Sequence, residues 1–412
     1  NSVLIMISVE NIRDNFPILS QKVYGKSLIY LDNAATSQRP LSVIDFQESF
    51  SRECNANVHR AVHSLSGIAT DLYESGREAV RSFLDAEYKE EIIFTSGTTA
   101  SINLMAHSFV EAFCDRGDVI VISQAEHHSN IVPWQMAALR TGIEVKVAPI
   151  NRDGSIDLEE LREILKDKRV KLLSITHISN VLGVVNPIQE IVKIAHNQGV
   201  KVLVDGAQGV VHSPISVRET DVDFYAFSGH KIYAPTGIGV LYGKRELLDI
   251  MPPFMGGGDM VDTVTFEKTT YAPLPLKFEA GTQNIAAVAS LKPALEFAMQ
   301  ISDNDEFANR ERQIVEYVTK ELNAIEGLTI LGTATPKIPL FSFVIDGVHH
   351  EDVAQILDKM GVAVRSGLVC AEPLINSYGY TGIIRASFAP YNTLEEAQIF
   401  IKSLHRAISM LK

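Results

Sequence analysis

The 412-residue chain predicts an α/β protein: a large domain on a mainly parallel sheet covered on both faces, followed by a smaller α+β domain. Three observations predict this. Short apolar, β-branched runs alternate with helical segments from about residue 30 to 245. Beyond about residue 290 helices and strands follow one another in the order of a small α+β layer. The length also exceeds what one hydrophobic core usually serves. We therefore expect an N-terminal segment (1–29) packing with the small domain, a large domain (30–290) and a small domain (291–412).

Composition narrows the function classes. With 46% hydrophobic and 21% charged residues, the chain has an ordinary globular composition. Its formal charge of −13 disfavours nucleic acid and anionic membranes as partners. Cys54, Cys114 and Cys370 lie far apart with no C-x-x-C spacing. This odd number of thiols fits a reducing, cytoplasmic setting in which a free thiol can be used. Residues 1–9 are apolar but too short to span a bilayer and have no basic flank, so no targeting signal is expected.

In chain order, residues 9–16 suggest a short helix stopped by Pro17. Leu28 to Asp32 reads as a strand entering a small-residue turn, Asn33-Ala34-Ala35-Thr36. A stretch with His59, Arg60 and His63 precedes a helix expected from Ala69 to Leu84; its histidines are as readily structural as chemical. Glu91 to Thr95 is a strand feeding Ser96-Gly97-Thr98-Thr99 into a helix from about Ala100. Such a turn offers backbone N–H groups, hydroxyls and the positive end of a helix dipole, which together form an anion site, although a capped helix explains the turn about as well. It lacks the Gly-Lys-Ser/Thr ending of a nucleotide-binding loop. Val119 to Ser123 is a buried strand before Glu126-His127-His128-Ser129-Asn130. The two adjacent histidines point apart and have no third ligand at zinc-like spacing, so no metal is expected. Lys171 to Thr176 is a strand leading to Asn180.

The chemistry concentrates next. Lys201 to Asp205 reads as a parallel strand ending on a carboxylate, and Asp223 to Phe227 as a second strand ending in Ser228-Gly229-His230-Lys231. Open α/β sheets bind ligands at this carboxyl edge. A lysine and a buried acid side by side suit pyridoxal phosphate, which needs an amine for its aldehyde and a carboxylate to keep its pyridine nitrogen protonated. Gly256-Gly257-Gly258 has no surrounding strand–turn–helix unit and reads as a mobile loop. A helix from Ala286 to Met299 crosses to the second domain. There Ile314 to Ile325 is helical, Leu340 to Ile345 a strand, Glu351 to Met360 a helix stopped by Gly361, and Leu394 to Leu411 the closing helix. Between them lies Arg365-Ser366-Gly367-Leu368-Val369-Cys370, whose glycine-containing polar context and nearby Arg365 favour a reactive thiolate over a buried structural thiol.

Val204-Asp205-Gly206-Ala207-Gln208, Phe227-Ser228-Gly229-His230-Lys231 and Pro235-Thr236-Gly237-Ile238-Gly239 resemble the class V aminotransferase group, and within it the cysteine desulfurases of the sulfur-mobilisation type. The resemblance spans nearly the whole chain and implies the fold-type I architecture of pyridoxal-phosphate-dependent transferases. It implies that Lys231 holds the cofactor and later carries protons, that Asp205 partners the ring nitrogen and that Gln208 contacts the phenolic oxygen. Thr98, Thr99, Ser228 and His230 would hold the phosphate, Asn180 would lie beside the cofactor, and His128 would stack on the ring and move protons. Through Glu279-Ala280-Gly281-Thr282-Gln283-Asn284 it implies that Thr282 completes the phosphate site of a neighbouring subunit, hence a homodimer. Through Ile384-Arg385-Ala386-Ser387 it implies that Arg385 grips the substrate carboxylate, with Arg365 and Asn180 assisting. Cys370 is then the nucleophile that converts L-cysteine to L-alanine, leaving sulfur on the enzyme as a persulfide for an acceptor or iron–sulfur scaffold protein. Relatives commonly have histidine before that cysteine, whereas this chain has Leu368-Val369, which puts proton transfer or acceptor approach in doubt. Selenocysteine cleavage and transamination by another class V enzyme are the alternatives.

Overall fold

The computed structural model describes residues 8–59 and 62–412. The readings made for residues 1–7, and for Arg60 and Ala61, lie outside the described residues. Seven strands form one sheet: β1 Ile92–Thr95, β2 Val119–Ser123, β3 Glu144–Ala148, β4 Val170–Thr176, β5 Lys201–Asp205, β6 Phe224–Ser228 and β7 Gly239–Gly243. Their order is β1-β7-β6-β5-β4-β2-β3. All neighbours from β3 to β6 pair in parallel, and only β7 runs against the rest. Every residue of β2, β6 and β7 is buried, the continuous apolar pattern of strands covered on both faces. Edge strand β3, Glu144-Val145-Lys146-Val147-Ala148, escaped the sequence reading because only its last residue is buried. β7 was missed too, its first residue, Gly239, having been read only as the end of a motif.

Register sets the functional edge. Thr176 pairs with Asp205, Asp205 with Ala226, and Gly239 with both Ser228 and Thr95. The last residues of β1, β4, β5 and β6 therefore share one rim. Helix α1, Ser64–Leu84, starts five residues before the expected Ala69, because the His63 ring accepts the Ser66 N–H at 3.2 Å and caps it. Helix α2, Thr98–Leu104, starts at Thr98 rather than Ala100, and helical turns continue from it to Phe113. Gly239 is the glycine this turn requires. A Cβ on it would lie 2.4 Å from the Gly97 Cα, so the strand and the turn meet backbone to backbone.

The second sheet is antiparallel: β8 Leu328–Leu331, β9 Leu340–Ile345, β10 Arg365–Gly367 and β11 Ile383–Ser387, in the order β8-β9-β11-β10. Helices Asp305–Asn323, His350–Lys359 and Leu394–Leu411 share with it a core containing Phe341, Phe343, Leu357, Ile384, Phe400 and Leu404. The crossing helix arrives in two pieces, Ile285–Ala289 and Leu291–Ser302. The expected N-terminal helix is two short 3-10 turns, Ile12–Asn15 and Pro17–Ser20. Phe16 packs its ring against Phe297 and Tyr391, with centroids 5.5 and 4.5 Å away. Ile29–Tyr30 pairs in parallel with Val362–Ala363, and Asp32 bridges to Ser387. This pairing carries the Asn33–Thr36 turn to the seam between the two sheets. The Gly256–Gly258 run leads into a hairpin of Val261–Val264 and Thr269–Tyr271. Among the described residues no helix is long and apolar enough to cross a membrane.

Candidate active site

The rim of the large sheet and the small-domain strands enclose a cavity of about 330 Å³. Lys231 enters it from the turn after β6. Its Nζ donates to the carbonyl of Ala34, and burial, with the Arg385 charge adding to it, pulls the ammonium from 10.5 down to about 7. A neutral amine, and hence a nucleophile, is therefore present near neutral pH. Asp205, at the end of β5, is pushed up to about 6 by burial, its Oδ1 accepting the Ala207 N–H at 3.0 Å. Gln208 lines the same wall with its amide donating to the Ala34 carbonyl at 2.7 Å.

The turn after β1 supplies the opposite wall. Ser228 Oγ accepts the Thr98 N–H at 2.8 Å and lies 2.8 Å from the Thr98 hydroxyl, while Thr99 and Ser129 hydroxyls meet at 2.8 Å. His230 approaches Thr36 Oγ1 through Nδ1 at 3.2 Å, and burial lowers its pKa to about 4. Hydroxyls, helix-start N–H groups and a neutral imidazole thus converge where an anion would sit.

One sequence expectation needs correction. His128 does not line the cavity; His127 does. The backbone decides, because His128 donates its N–H to the Cys370 carbonyl at 2.8 Å and its Nε2 accepts the Glu372 N–H at 3.0 Å. Both bonds turn it toward the cysteine loop and leave its neighbour facing inward. His127 Nδ1 accepts the Ser129 N–H at 3.1 Å, so the neutral ring carries its proton on Nε2; burial lowers its pKa to about 4. The doublet itself was the signal in the sequence, and its spacing did not say which ring faces inward.

The small domain contributes Arg365, Val369, Cys370 and Arg385. Arg385 donates Nη1 to the Asn180 carbonyl at 3.0 Å and Nη2 to Asp32 at 3.1 Å, while its Nε is buried without a partner. A buried guanidinium with a spare donor is suited to an incoming carboxylate. Asn180 uses its amide to hold the Val369 carbonyl at 2.9 Å. Cys370 is exposed, and both it and Val369 are in the left-handed region, at φ 58 and 39, a strained conformation for a β-branched residue. Asp32 and Ala34 had no assigned role from the sequence; the first binds both arginines and the second receives Lys231 and Gln208. Thr282 lies elsewhere, in a separate cavity with Thr95, Ser96 and Met255.

The family model for class V aminotransferases matches residues 29–400. This chain belongs to the class V aminotransferase family. Among curated relatives of this class V protein, the probable cysteine desulfurase of Vibrio cholerae is 44% identical over 98% of this chain and 100% of the relative. A cysteine desulfurase of Escherichia coli is 45% identical over 98% and 99%. Solved structures agree. The S-sulfonic acid form of the Escherichia coli cysteine desulfurase CsdA has a TM-score of 0.90 at 38% identity, covering 98% of this chain and 100% of that one. The apo cysteine desulfurase of Thermococcus onnurineus has a TM-score of 0.91 at 36% identity, covering 98% of each. The cofactor of this class V protein is pyridoxal phosphate, and the cavity's donor set fits that group. It offers a neutral lysine amine, a buried carboxylate with one hydrogen bond, and a hydroxyl-rich helix start.

Proposed function

We propose that this protein is a cysteine desulfurase, releasing L-alanine from L-cysteine and passing the sulfur, held as a persulfide on Cys370, to an acceptor for iron–sulfur cluster assembly. The observation that carries the reading is the convergence of Lys231, Arg385 and Cys370 on one cavity. Lys231 would bind the cofactor aldehyde, Asp205 its ring nitrogen, and Thr98, Thr99, Ser228 and His230 its phosphate. Gln208 and Asn180 would flank the ring, and His127 would take the stacking role first expected of His128. Bound pyridoxal phosphate supplies the electron sink for the substrate α-carbon.

The chain's own residues do the rest. Arg385 fixes the carboxylate through its remaining donors, which aims the substrate side chain at the cysteine loop. Lys231 Nζ, whose pKa near 7 keeps a large neutral fraction at neutral pH, takes the α-proton and returns one to the product. The Cys370 thiolate attacks the substrate sulfur: an S–S bond forms, the carbon–sulfur bond breaks, and its electron pair stays with the carbon skeleton, where protonation completes the methyl group of alanine. His127, neutral with its proton on Nε2, would offer a hydrogen bond rather than a proton during this exchange.

The same reading includes a cytoplasmic homodimer, L-selenocysteine as a second substrate, and the division into segments 1–29, 30–290 and 291–412. Three unpaired thiols support the reducing setting. Thr282, outside the cavity of its own chain, supports a shared site. The separate core around the second sheet supports the domain division. Incubating the purified holoenzyme with L-cysteine should yield alanine and sulfane sulfur in equal amounts; a 2-oxo acid as the main product would move the protein to the aminotransferases.

A further inference from the structure

Glu126 stands one residue before the inward-facing His127, yet it is fully buried and does not line the cavity. Three groups donate to it. Oε1 accepts the Thr176 N–H at 2.9 Å and the Ser123 hydroxyl, and Oε2 accepts the Asn130 amide at 2.7 Å. Ser123 ends β2 and Thr176 ends β4, where it pairs with Asp205 of β5. The carboxyl group thus ties the turn that bears His127 to the strand beside the one that ends on Asp205.

Polarity fixes this network. The Trp134 indole N–H, which can only donate, bonds to Asn130 Oδ1 at 2.9 Å, and the Ser174 hydroxyl donates to the same oxygen at 2.6 Å. Asn130 must therefore turn its NH2 group toward Glu126, and the Asn130 backbone N–H closes the turn on the His127 carbonyl at 2.8 Å. Burial pushes the Glu126 carboxyl up to about 8, but of its three partners only the Ser123 hydroxyl could accept a hydrogen bond from it. Both oxygens therefore accept from Thr176 and Asn130 in either charge state. No side-chain polar atom of this buried set is left unpartnered, the condition under which such a network holds one conformation.

We propose that Glu126 is a positioning residue of the active site: as an acceptor on both oxygens it clamps the turn between two strand ends and sets the His127 ring against the cofactor. This rests on His127 as the ring that faces pyridoxal phosphate. Glu126→Gln keeps the size of the side chain but turns an NH2 group toward either the Asn130 NH2 or the Thr176 N–H, so two donors meet. Adding Asn130→Asp replaces the opposing donor by an acceptor and restores the match.

Trp134 is the only tryptophan of the chain, so its emission reports the network in the apo protein. Glu126→Gln should shift that emission, and Glu126→Gln/Asn130→Asp should return it. In the holoenzyme, Glu126→Gln should move the visible absorption toward that of His127→Ala and lower kcat by about 100-fold, and the double variant should recover most of both. In the His127→Ala background, Glu126→Gln should add no further spectral change, because its effect runs through that ring. Glu126→Asp, which keeps the acceptors and shortens their reach, should move the spectrum in the same direction and serves if Glu126→Gln does not fold. An unaltered spectrum in Glu126→Gln, an equal spectral change with the His127 ring removed, or no recovery in the double variant would make Glu126 a part of the scaffold only and overturn the proposal. An unaltered spectrum in His127→Ala itself would sink the stacking assignment, whatever Trp134 reports.

Discussion

Lys231 shows how much of a residue's chemistry comes from its surroundings. In water its amine would be protonated up to about pH 10.4; in the cavity burial brings the value to about 7. The folded-state pKa is lowered, so the ammonium dominates below pH 7 and the nucleophilic amine above it. Cofactor uptake by the apo protein should therefore speed up as pH rises through about 7 and level off above about 8, followed by the growth of visible absorption; a midpoint near 10 would contradict the burial argument. In Lys231→Ala that absorption and alanine release should both vanish. Cys370 makes a second, independent prediction. Cys370→Ala should keep the visible absorption yet lose at least about 100-fold in alanine release from cysteine, while retaining measurable selenocysteine cleavage, because the carbon–selenium bond is weaker. Cys54→Ala is the control, and loss of cysteine activity there with retention in Cys370→Ala would name the wrong nucleophile.

The cysteine-bearing loop between β10 and the short helix Glu372–Ser377 acts as one element. Asn180 holds the Val369 carbonyl, the His128 backbone holds the Cys370 carbonyl, and the His128 ring holds the Glu372 N–H. Three bonds from the large domain thus keep two consecutive left-handed residues in place, where such a conformation costs on the order of 1–3 kcal/mol per residue. The two histidines consequently separate in function. His127→Ala should alter the cofactor's visible spectrum and lower kcat by roughly 10²–10⁴-fold. His128→Ala should leave the spectrum unchanged and slow only sulfur transfer to Cys370, read as a smaller persulfide burst. Spectral change in His128→Ala with none in His127→Ala would reverse the assignment.

Across the whole molecule, one buried ion pair ties the site to distant elements. Arg77, on α1, meets Glu279 through two bonds of 2.8 Å, and Glu279 also accepts the Phe94 N–H at 2.8 Å and the Tyr73 hydroxyl at 3.1 Å. Helix α1, strand β1 and the segment carrying Thr282 are thereby locked together. Glu279→Gln leaves a buried guanidinium with only the more distant Glu74, 3.5 Å from its Nε, as counter-charge and should destabilise the fold by about 3 kcal/mol, measured by denaturant unfolding of the holoenzyme. If Thr282 serves a neighbouring subunit, the same variant should also weaken the dimer in light scattering. A wild-type monomer at micromolar concentration, with cofactor and activity intact, would contradict the shared site.

The sequence by itself determined the fold class and most of the residues that meet in the cavity. Lys201–Asp205 and the Ser228-to-Lys231 turn are local facts, because an apolar run ending on a charged residue carries both its strand and its functional end in contiguous letters. Leu340–Ile345 and Leu394–Leu411 were legible with the same boundaries for that reason. Edge strand β3 was not, since a strand half open to solvent loses the apolar signature. Nor was the choice between His127 and His128, which depends on hydrogen bonds to a loop more than 240 residues away. The role of Asp32 belongs to the tertiary structure alone: it arises only when strands from the far end of the chain bring Arg365 and Arg385 into register beside it, and charge pairing across some 330 residues leaves no trace in local pattern.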